Sequence, residues 1–194
     1  HRDLHSFPTR RSSDLFADPN VAHTRSELDP LDDIRTINLE LILADLQTAE
    51  RALDRYRRQA RSQNREAEHA VAVLERIAAH LDGERSLRSL ELSPADLALI
   101  PDCRFLSRKP VMYVANVGEE SLPDLASPLV ERIREQAERE GACLFPICAR
   151  IEAELADLEA ADRAAFLADL WIGEDGLPRL VRACHRHLGL ISFL

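Results

Sequence analysis

Two stretches in the first half of the chain repeat apolar residues at steps of three and four, which is the spacing of a helical seam. The first seam consists of Ile42, Leu46, Ala49, Leu53 and Tyr56, and the second of Ala67, Ala70, Leu74, Ile77 and Leu81. A polar break at residues 62–64 separates them, and Gly83 stands where a C-terminal helix cap is expected. Because neither helix buries its apolar stripe alone, the pattern predicts an antiparallel helical hairpin.

The second half of the chain alternates short apolar runs with helical patterns. The runs at residues 111–115 and 143–148 predict two strands, and we expect the first to be covered on both faces. Helices are predicted at residues 95–100, 128–140, 151–158, 161–170 and 177–188. Strand, helix, strand in this order indicates a parallel α/β unit with a right-handed crossover.

Composition narrows the functional classes. The net charge of -9 over 194 residues excludes a generally basic nucleic-acid coat, so an RNA contact requires a local patch. Four cysteines without CxxC spacing are typical of reduced, buried thiols, and no apolar run reaches the roughly 20 residues that span a bilayer. A cytoplasmic protein with no membrane association is expected.

Residues 1–15, HRDLHSFPTRRSSDL, have no apolar period and no apolar targeting core. Their back-translation resembles a widely used sequencing-adapter oligonucleotide over its whole length. We therefore interpret them as translated adapter, and a natural disordered basic tail is the alternative. The parent DNA distinguishes the two, since a different codon string excludes the adapter.

The two predicted strands end in residues that suggest nucleotide chemistry. The first runs into Asn116-Val117-Gly118-Glu119 and the second into Cys148-Ala149-Arg150. Ligands of parallel sheets bind at the carboxyl ends of strands. The pair resembles the base-recognition motifs of GTPase-like P-loop proteins, usually Asn-Lys-x-Asp and Ser-Ala-Lys. Val117 and Glu119 depart from that pattern, which puts guanine specificity in doubt.

The altered motif, with Val117 and Glu119, resembles the motif of another P-loop family. Asn-x-x-Glu after Lys109-Pro110-Val111-Met112-Tyr113-Val114-Ala115 is similar to the YchF family of Obg-like, redox-regulated P-loop ATPases. The stretches DPLDDI, ELILADL, ICA, IEAEL and LGL continue the resemblance from residue 16 to residue 194. It implies an α/β P-loop NTPase domain, present in part, with an inserted antiparallel coiled-coil hairpin.

The resemblance also implies domain boundaries. Residues 16–28 would be a remnant of the nucleotide domain, 29–105 the hairpin insertion, 106–189 the C-terminal part of the nucleotide domain, and 190–194 the start of a truncated TGS domain. The final apolar run, without turn or cap, indicates a chain cut there.

Carried over by position, the resemblance places five residues around the adenine of ATP. Asn116 would bond the ring edge, the backbone at Val117 would read the exocyclic amine, Glu119 would lie beside them, and Cys148 and Ala149 would close the other side. Each has a structural alternative: Asn116 as a strand-end turn residue, Glu119 as a solvated acid and Cys148 as a small core residue.

Phosphoryl transfer requires a Gly-rich loop with Lys and Ser/Thr, and Mg²⁺. The six glycines are isolated and form no GxxxxGK[ST] loop. We therefore expect an ATPase in the full-length parent, with Mg²⁺ ligands outside this chain, and no hydrolysis by the fragment itself. The parent is expected to be monomeric.

Arginines are concentrated around the predicted hairpin turn: Arg51, Arg55, Arg57, Arg58, Arg61 and Arg65. Guanidinium groups suit RNA phosphates, and the resemblance implies the large ribosomal subunit or its rRNA as partner, with no DNA. A solvated helix face is the structural alternative. The rival function is a non-enzymatic helical adaptor whose basic tip binds RNA or a protein.

Overall fold

The computed structural model describes residues 29–62, 64–170 and 172–190. The adapter interpretation and the predicted domains 1–15, 16–28 and most of 190–194 lie outside these residues. The described elements, in chain order, are α1 (Pro30–Ala60), α2 (Arg65–Asp82), α3 (Pro94–Leu99), β1 (Met112–Asn116), α4 (Pro128–Glu140), β2 (Cys143–Ile147), α5 (Ala149–Ala156), α6 (Ala160–Asp169) and α7 (Gly176–His187). Two short 3₁₀ turns lie at Leu87–Ser89 and Glu119–Ser121.

The chain divides into two compact units. The helical unit spans Asp32–Pro110, and the α/β unit comprises, among the described residues, 29–31 and 111–190. No described helix combines the length and apolarity that a membrane span requires.

The helical unit has a core built from both predicted seams. Eight of the ten seam residues are buried, and Leu46 and Tyr56 pack against the same cluster. Asn64 caps α2, since its Oδ1 accepts a hydrogen bond from the Ala67 amide at 3.2 Å. The break at residues 62–64 therefore separates two helices, as predicted.

A buried carboxylate anchors the return of the chain over α1. Asp45 is 1% exposed, and its Oδ1 and Oδ2 accept hydrogen bonds from the amides of Leu106 and Ser107, both at 2.7 Å. The Ser107 hydroxyl in turn accepts from the Leu87 amide at 3.2 Å. These bonds satisfy backbone donors that would otherwise be buried without partners.

The end of α2 differs in detail from the prediction. Gly83 does stand at the cap, but its φ is -79°, and the left-handed conformation falls on Glu84 with φ 55°. The next helix, α3, starts one residue earlier than predicted. Ser93 and Asp96 form a reciprocal capping box there, with 3.0 Å bonds from each backbone amide to the other side chain.

The α/β unit contains a parallel pair of strands with α4 as the crossover. β1 and β2 pair in register from Met112 opposite Cys143 to Asn116 opposite Ile147. Ser127 caps the start of α4 with a hydroxyl that accepts from the Val130 amide, and Gly141, with φ 65°, follows its last residue. The parallel pairing predicted from the strand–helix–strand order is confirmed.

The expectation that β1 is covered on both faces is wrong for the described residues. Val114 is 42% exposed, whereas Ala115 on the opposite face is 3% exposed. Leu177 and Val181 on α7, and Leu188 directly after it, are each at least half exposed. The apolar run identified the strand correctly, but coverage depends on neighbours that the run does not encode.

The outer edge of β2 lacks one backbone donor. Cys143 donates to Val111 O and Ile147 O accepts from Val117, so residues 143, 145 and 147 bond to β1. Leu144 and Pro146 therefore direct their backbone groups to the other edge, where Pro146 has no N–H to offer.

The expectation of buried thiols holds fully at one position. All four cysteines are free, and Cys148 is buried, while Cys103, Cys143 and Cys184 are partly exposed. Desolvation of its half-buried side chain raises the pKa of Cys103, so its thiolate is disfavoured.

Candidate functional site

The turns after β1 and β2 lie side by side at the carboxyl edge of the strand pair. Asn116 ends β1, and Cys148 is the residue from which α5 begins. The Asn116 Oδ1 accepts a hydrogen bond from the Ala149 amide at 3.0 Å, and the Val117 amide donates to Ile147 O at 2.9 Å. One side-chain amide therefore links the two turns that the sequence predicted to form one site.

Val117 and Cys148 lie in the core beneath this edge. As whole residues they are 2% and 4% exposed, and they belong to one core cluster with Val130, Ile151 and Leu155. A ligand at the edge would therefore meet the exposed Ala149 before either of them. The backbone roles expected for Val117 and Cys148 stay predictions.

Glu119 carries an ion pair that crosses between the turns. Its Oε1 lies 2.8 Å from Arg150 Nε, and the same nitrogen lies 3.4 Å from Glu154 Oε1. The Arg150 side chain is 73% exposed, so its aliphatic stem is largely uncovered. Sequence reasoning gave Arg150 no role, although it follows Cys148-Ala149 where the superfamily motif has Lys.

Glu152 connects the first turns of α5 to α7. Its two carboxylate oxygens accept from the amides of Gly176 and Leu177 at 2.8 and 3.0 Å. The carboxylate thus satisfies free amides at the α7 N-terminus, where the helix dipole favours negative charge. This contact was not predicted, because nothing in the local pattern pairs residues 24 and 25 positions apart.

The predicted arginine cluster divides into paired and exposed members. Arg57 pairs with Glu75 at 2.8 Å, and Arg55 pairs with Asp102 at 3.3 Å with its guanidinium 5.0 Å from the ring centroid of Tyr56.

Arg51 Nε donates to Gln47 O within α1 at 3.1 Å. The three arginines nearest the break between α1 and α2 are exposed and have no ion pair within the described residues: Arg58, Arg61 and Arg65.

No cluster of three or more His, Cys, Asp or Glu side chains suited to a metal ion occurs in the described part of the chain. The predicted base-recognition edge therefore supplies polar and backbone groups, and the described residues supply no metal centre.

The fold is that of part of a P-loop GTPase domain, with its parallel strands and crossover helix. The structure of the Schizosaccharomyces pombe YchF GTPase matches 89% of this chain and 47% of its own with a TM-score of 0.77 at 20% identity, a likeness of fold.

Curated proteins called "Ribosome-binding ATPase YchF" match 92% of the chain. Those of Haemophilus ducreyi and Escherichia coli O157:H7 are 42% and 38% identical over 178 residues, and that of Bacillus subtilis is 37% identical over 179. The chain spans about half the length of these curated relatives. No family model matches it. Over the matched residues, the chain belongs to the YchF family.

Proposed function

We propose that the α/β unit is the base-recognition part of an ATP-hydrolysing P-loop protein that associates with the ribosome in the cytoplasm. The observation that carries the proposal is the 3.0 Å bond between Asn116 Oδ1 and the Ala149 amide. It joins two turns at neighbouring parallel strand ends, which is where α/β proteins bind ligands. Mg²⁺ and the phosphate-binding loop would come from segments outside this chain.

Within this site the five predicted residues take different roles. Asn116 holds the two turns together and presents its amide to the purine edge, Ala149 offers its exposed backbone, and the buried Val117 and Cys148 support the edge from the core. Glu119 positions Arg150 through their 2.8 Å pair, which leaves the exposed Arg150 stem available to cover a bound base. Because the Glu119 carboxylate is engaged by Arg150, it does not select guanine as the usual Asp does, and ATP is the preferred nucleotide.

The helical unit is proposed to form an antiparallel coiled-coil hairpin that contacts ribosomal RNA. Support comes from the shared core of the two seams and from the exposed side chains of Arg58, Arg61 and Arg65 at its turn. The relatives' name, "Ribosome-binding ATPase", agrees with this partner.

Nucleotide titration of a chain completed with the missing part of its nucleotide domain tests the proposal. ATP should bind more tightly than GTP, and Asn116→Ala should weaken ATP binding about tenfold, because the hydrogen bond that holds the two turns side by side is lost.

Asn64→Ala is the matched control, since Asn64 also accepts a backbone amide with Oδ1 but lies in the helical unit. Equal nucleotide affinity of the Asn116→Ala and Asn64→Ala chains would exclude the base site. Absence of any nucleotide binding by the completed chain would favour the helical adaptor.

Ribosome co-sedimentation tests the hairpin turn. Arg58→Glu, Arg61→Glu and Arg65→Glu together should reduce sedimentation of the completed chain, most strongly at low salt, where contacts to phosphates are least screened. The control reverses Arg132, Arg134 and Arg139 on α4. Unchanged sedimentation of the turn variant over the salt series would disprove the contact.

A further inference from the structure

The last helix of the α/β unit carries a row of three arginines along one face. Arg179, Arg182 and Arg186, called here the α7 arginine row, follow one another at steps of three and four residues. The helix Gly176–His187 contains no acidic residue, although the whole chain has a net charge of -9. The row is therefore a local positive surface on an acidic protein, and the nucleotide site does not use it.

A cavity of about 440 Å³ lies beside this row. All three arginines line it together with Cys143, Leu144 and Phe145 of β2. Glu174 is the acid in its wall, and it pairs with Arg182. Three guanidinium groups against one carboxylate leave an excess of positive charge, which favours an anionic occupant.

The geometry of the row suits a chain of phosphates. The Arg179 guanidinium lies 5.5 Å from the centroid of the Phe145 ring, which orients it, while the side chain of Arg182 is 54% exposed. At 1.5 Å rise per residue the row spans about 10 Å, which is long enough to contact about two successive phosphates of one strand. Arginine forks match phosphate oxygens in pairs.

The adjacent strand edge disfavours the main competitor, an acidic peptide added as a strand. A third strand beside β2 would need donors from residues 144 and 146, and Pro146 has none. A phosphate backbone requires no such ladder.

We propose that the α7 arginine row and its cavity bind the phosphate backbone of single-stranded RNA. This second RNA surface rests on the proposed ribosome association and lies in the α/β unit, apart from the arginines at the turn between α1 and α2. The row contacts phosphates without reading bases.

Fluorescence anisotropy of the intact chain with a labelled oligouridylate over a salt series tests this surface. Arg182→Gln with Arg186→Gln should weaken binding about tenfold at low salt. The double variant should also lower the slope of log K against log salt by about 1.4, at 0.7 per lost phosphate contact. Arg182→Lys with Arg186→Lys keeps both charges and should retain the slope.

The control variant is Arg132→Gln with Arg139→Gln on α4, which removes the same charge from the same unit. It is matched in detail, because Arg139 pairs with Glu135 as Arg182 pairs with Glu174. Circular dichroism of each variant reports whether the helices remain folded.

Equal salt slopes for the α7 and α4 variants would overturn the proposal. So would loss of helical signal in the glutamine variant when the lysine variant does not restore RNA binding. Binding of polyglutamate as tight as that of the oligouridylate would also overturn it and would indicate an acidic protein partner. A separate variant at Arg58, Arg61 and Arg65 measures the turn in the same assay. Loss of binding only in that variant would contradict the α7 surface and leave the proposed ribosome contact standing.

Discussion

The helical unit and the α/β unit treat their apolar residues differently. In the helical unit, eight of ten seam residues are buried, and Leu39 and Leu43 are its exposed large hydrophobic residues in the described range. In the α/β unit, large apolar residues on β1, on α7 and just after α7 are at least two-fifths exposed. They are Val114, Leu177, Val181, Leu188 and Leu190.

This difference shows which unit buries its apolar core with its own residues. The helical unit closes its core with its own chain, through the Asp45 anchor and the return at residues 105–107. The α/β unit keeps an apolar surface of a kind that marks an interaction face. We therefore expect the helical unit to account for most of the measurable stability of the chain.

The largest loss of stability is expected for Asp45→Ala, which tests the closed core of the helical unit. It leaves the partly buried amide of Leu106 and the buried amide of Ser107 without acceptors, at a cost of about 4 kcal/mol in the free energy of unfolding.

Urea denaturation followed by circular dichroism measures it. Asp45→Asn retains one acceptor oxygen and should lose less, and Asp54→Ala on the exposed face of α1 should lose almost nothing. Equal midpoints for the Asp45→Ala and Asp54→Ala chains would contradict the anchor.

One substitution made in each unit compares them directly. Leu74 is 0% exposed, and Leu74→Ala should lower the free energy of unfolding by about 3 kcal/mol. Leu177 is 60% exposed, and Leu177→Ala should change it by less than about 0.5 kcal/mol. The Leu177→Ala chain should bind less of a hydrophobic dye. A comparable loss at both positions would mean that the α7 stripe is covered in solution.

The link between α5 and α7 gives a smaller effect. A Cβ on Gly176 would lie 2.5 Å from Glu152 Oε1 and 3.1 Å from Ile147 Cγ1, so Gly176→Ala disturbs the carboxylate that caps α7. We expect a loss of about 1–2 kcal/mol in the same denaturation assay. A Cβ on Gly173 would have no heavy atom within 4 Å, and Gly173→Ala should be neutral. An equal loss of stability in both variants would contradict the role of the Glu152 carboxylate at the start of α7.

The smallest effect concerns the pH dependence of α3. The backbone amide of Ser93 holds the pKa of the Asp96 carboxyl below its ordinary value, and the charge of Arg76 adds to this. Because the folded pKa is lowered, the contribution is present above the ordinary pKa and lost as pH falls through the folded one.

An NMR titration of Asp96 should show the lowered value, and Ser93→Ala should raise it only in part, since the backbone bond persists. A titration of Asp96 at its ordinary pKa would contradict the capping box.

Periodicity predicted the helices and strands because their apolar residues encode burial locally. Both seams and the parallel strand pair follow from it, and the bounds of α5, α6 and α7 differ from the predicted ones by two residues at most.

Tertiary contacts were not predictable in the same way. Asp45 lies between seam positions and looks like a surface acid. It is nevertheless buried, and it accepts hydrogen bonds from Leu106 and Ser107, which are 61 and 62 positions away in the sequence. Val114 sits in an apolar run, yet its coverage depends on elements elsewhere.

Half of the candidate site followed from the sequence. Strand ends and motif order placed Asn116 beside Ala149, because parallel strands end at one edge. The pairing of Glu119 with Arg150 did not follow, since spacing alone does not say which way a long side chain turns.

Of the two residues that follow α2, the glutamate and not the glycine adopts the left-handed conformation that favours glycine. Gly83, which tolerates positive φ, adopts -79°, and Glu84, which does not, adopts 55°. A substitution at this turn can therefore increase the thermal stability of the protein. A Glu84→Gly replacement would relieve the strained residue and raise the melting temperature without touching the nucleotide edge.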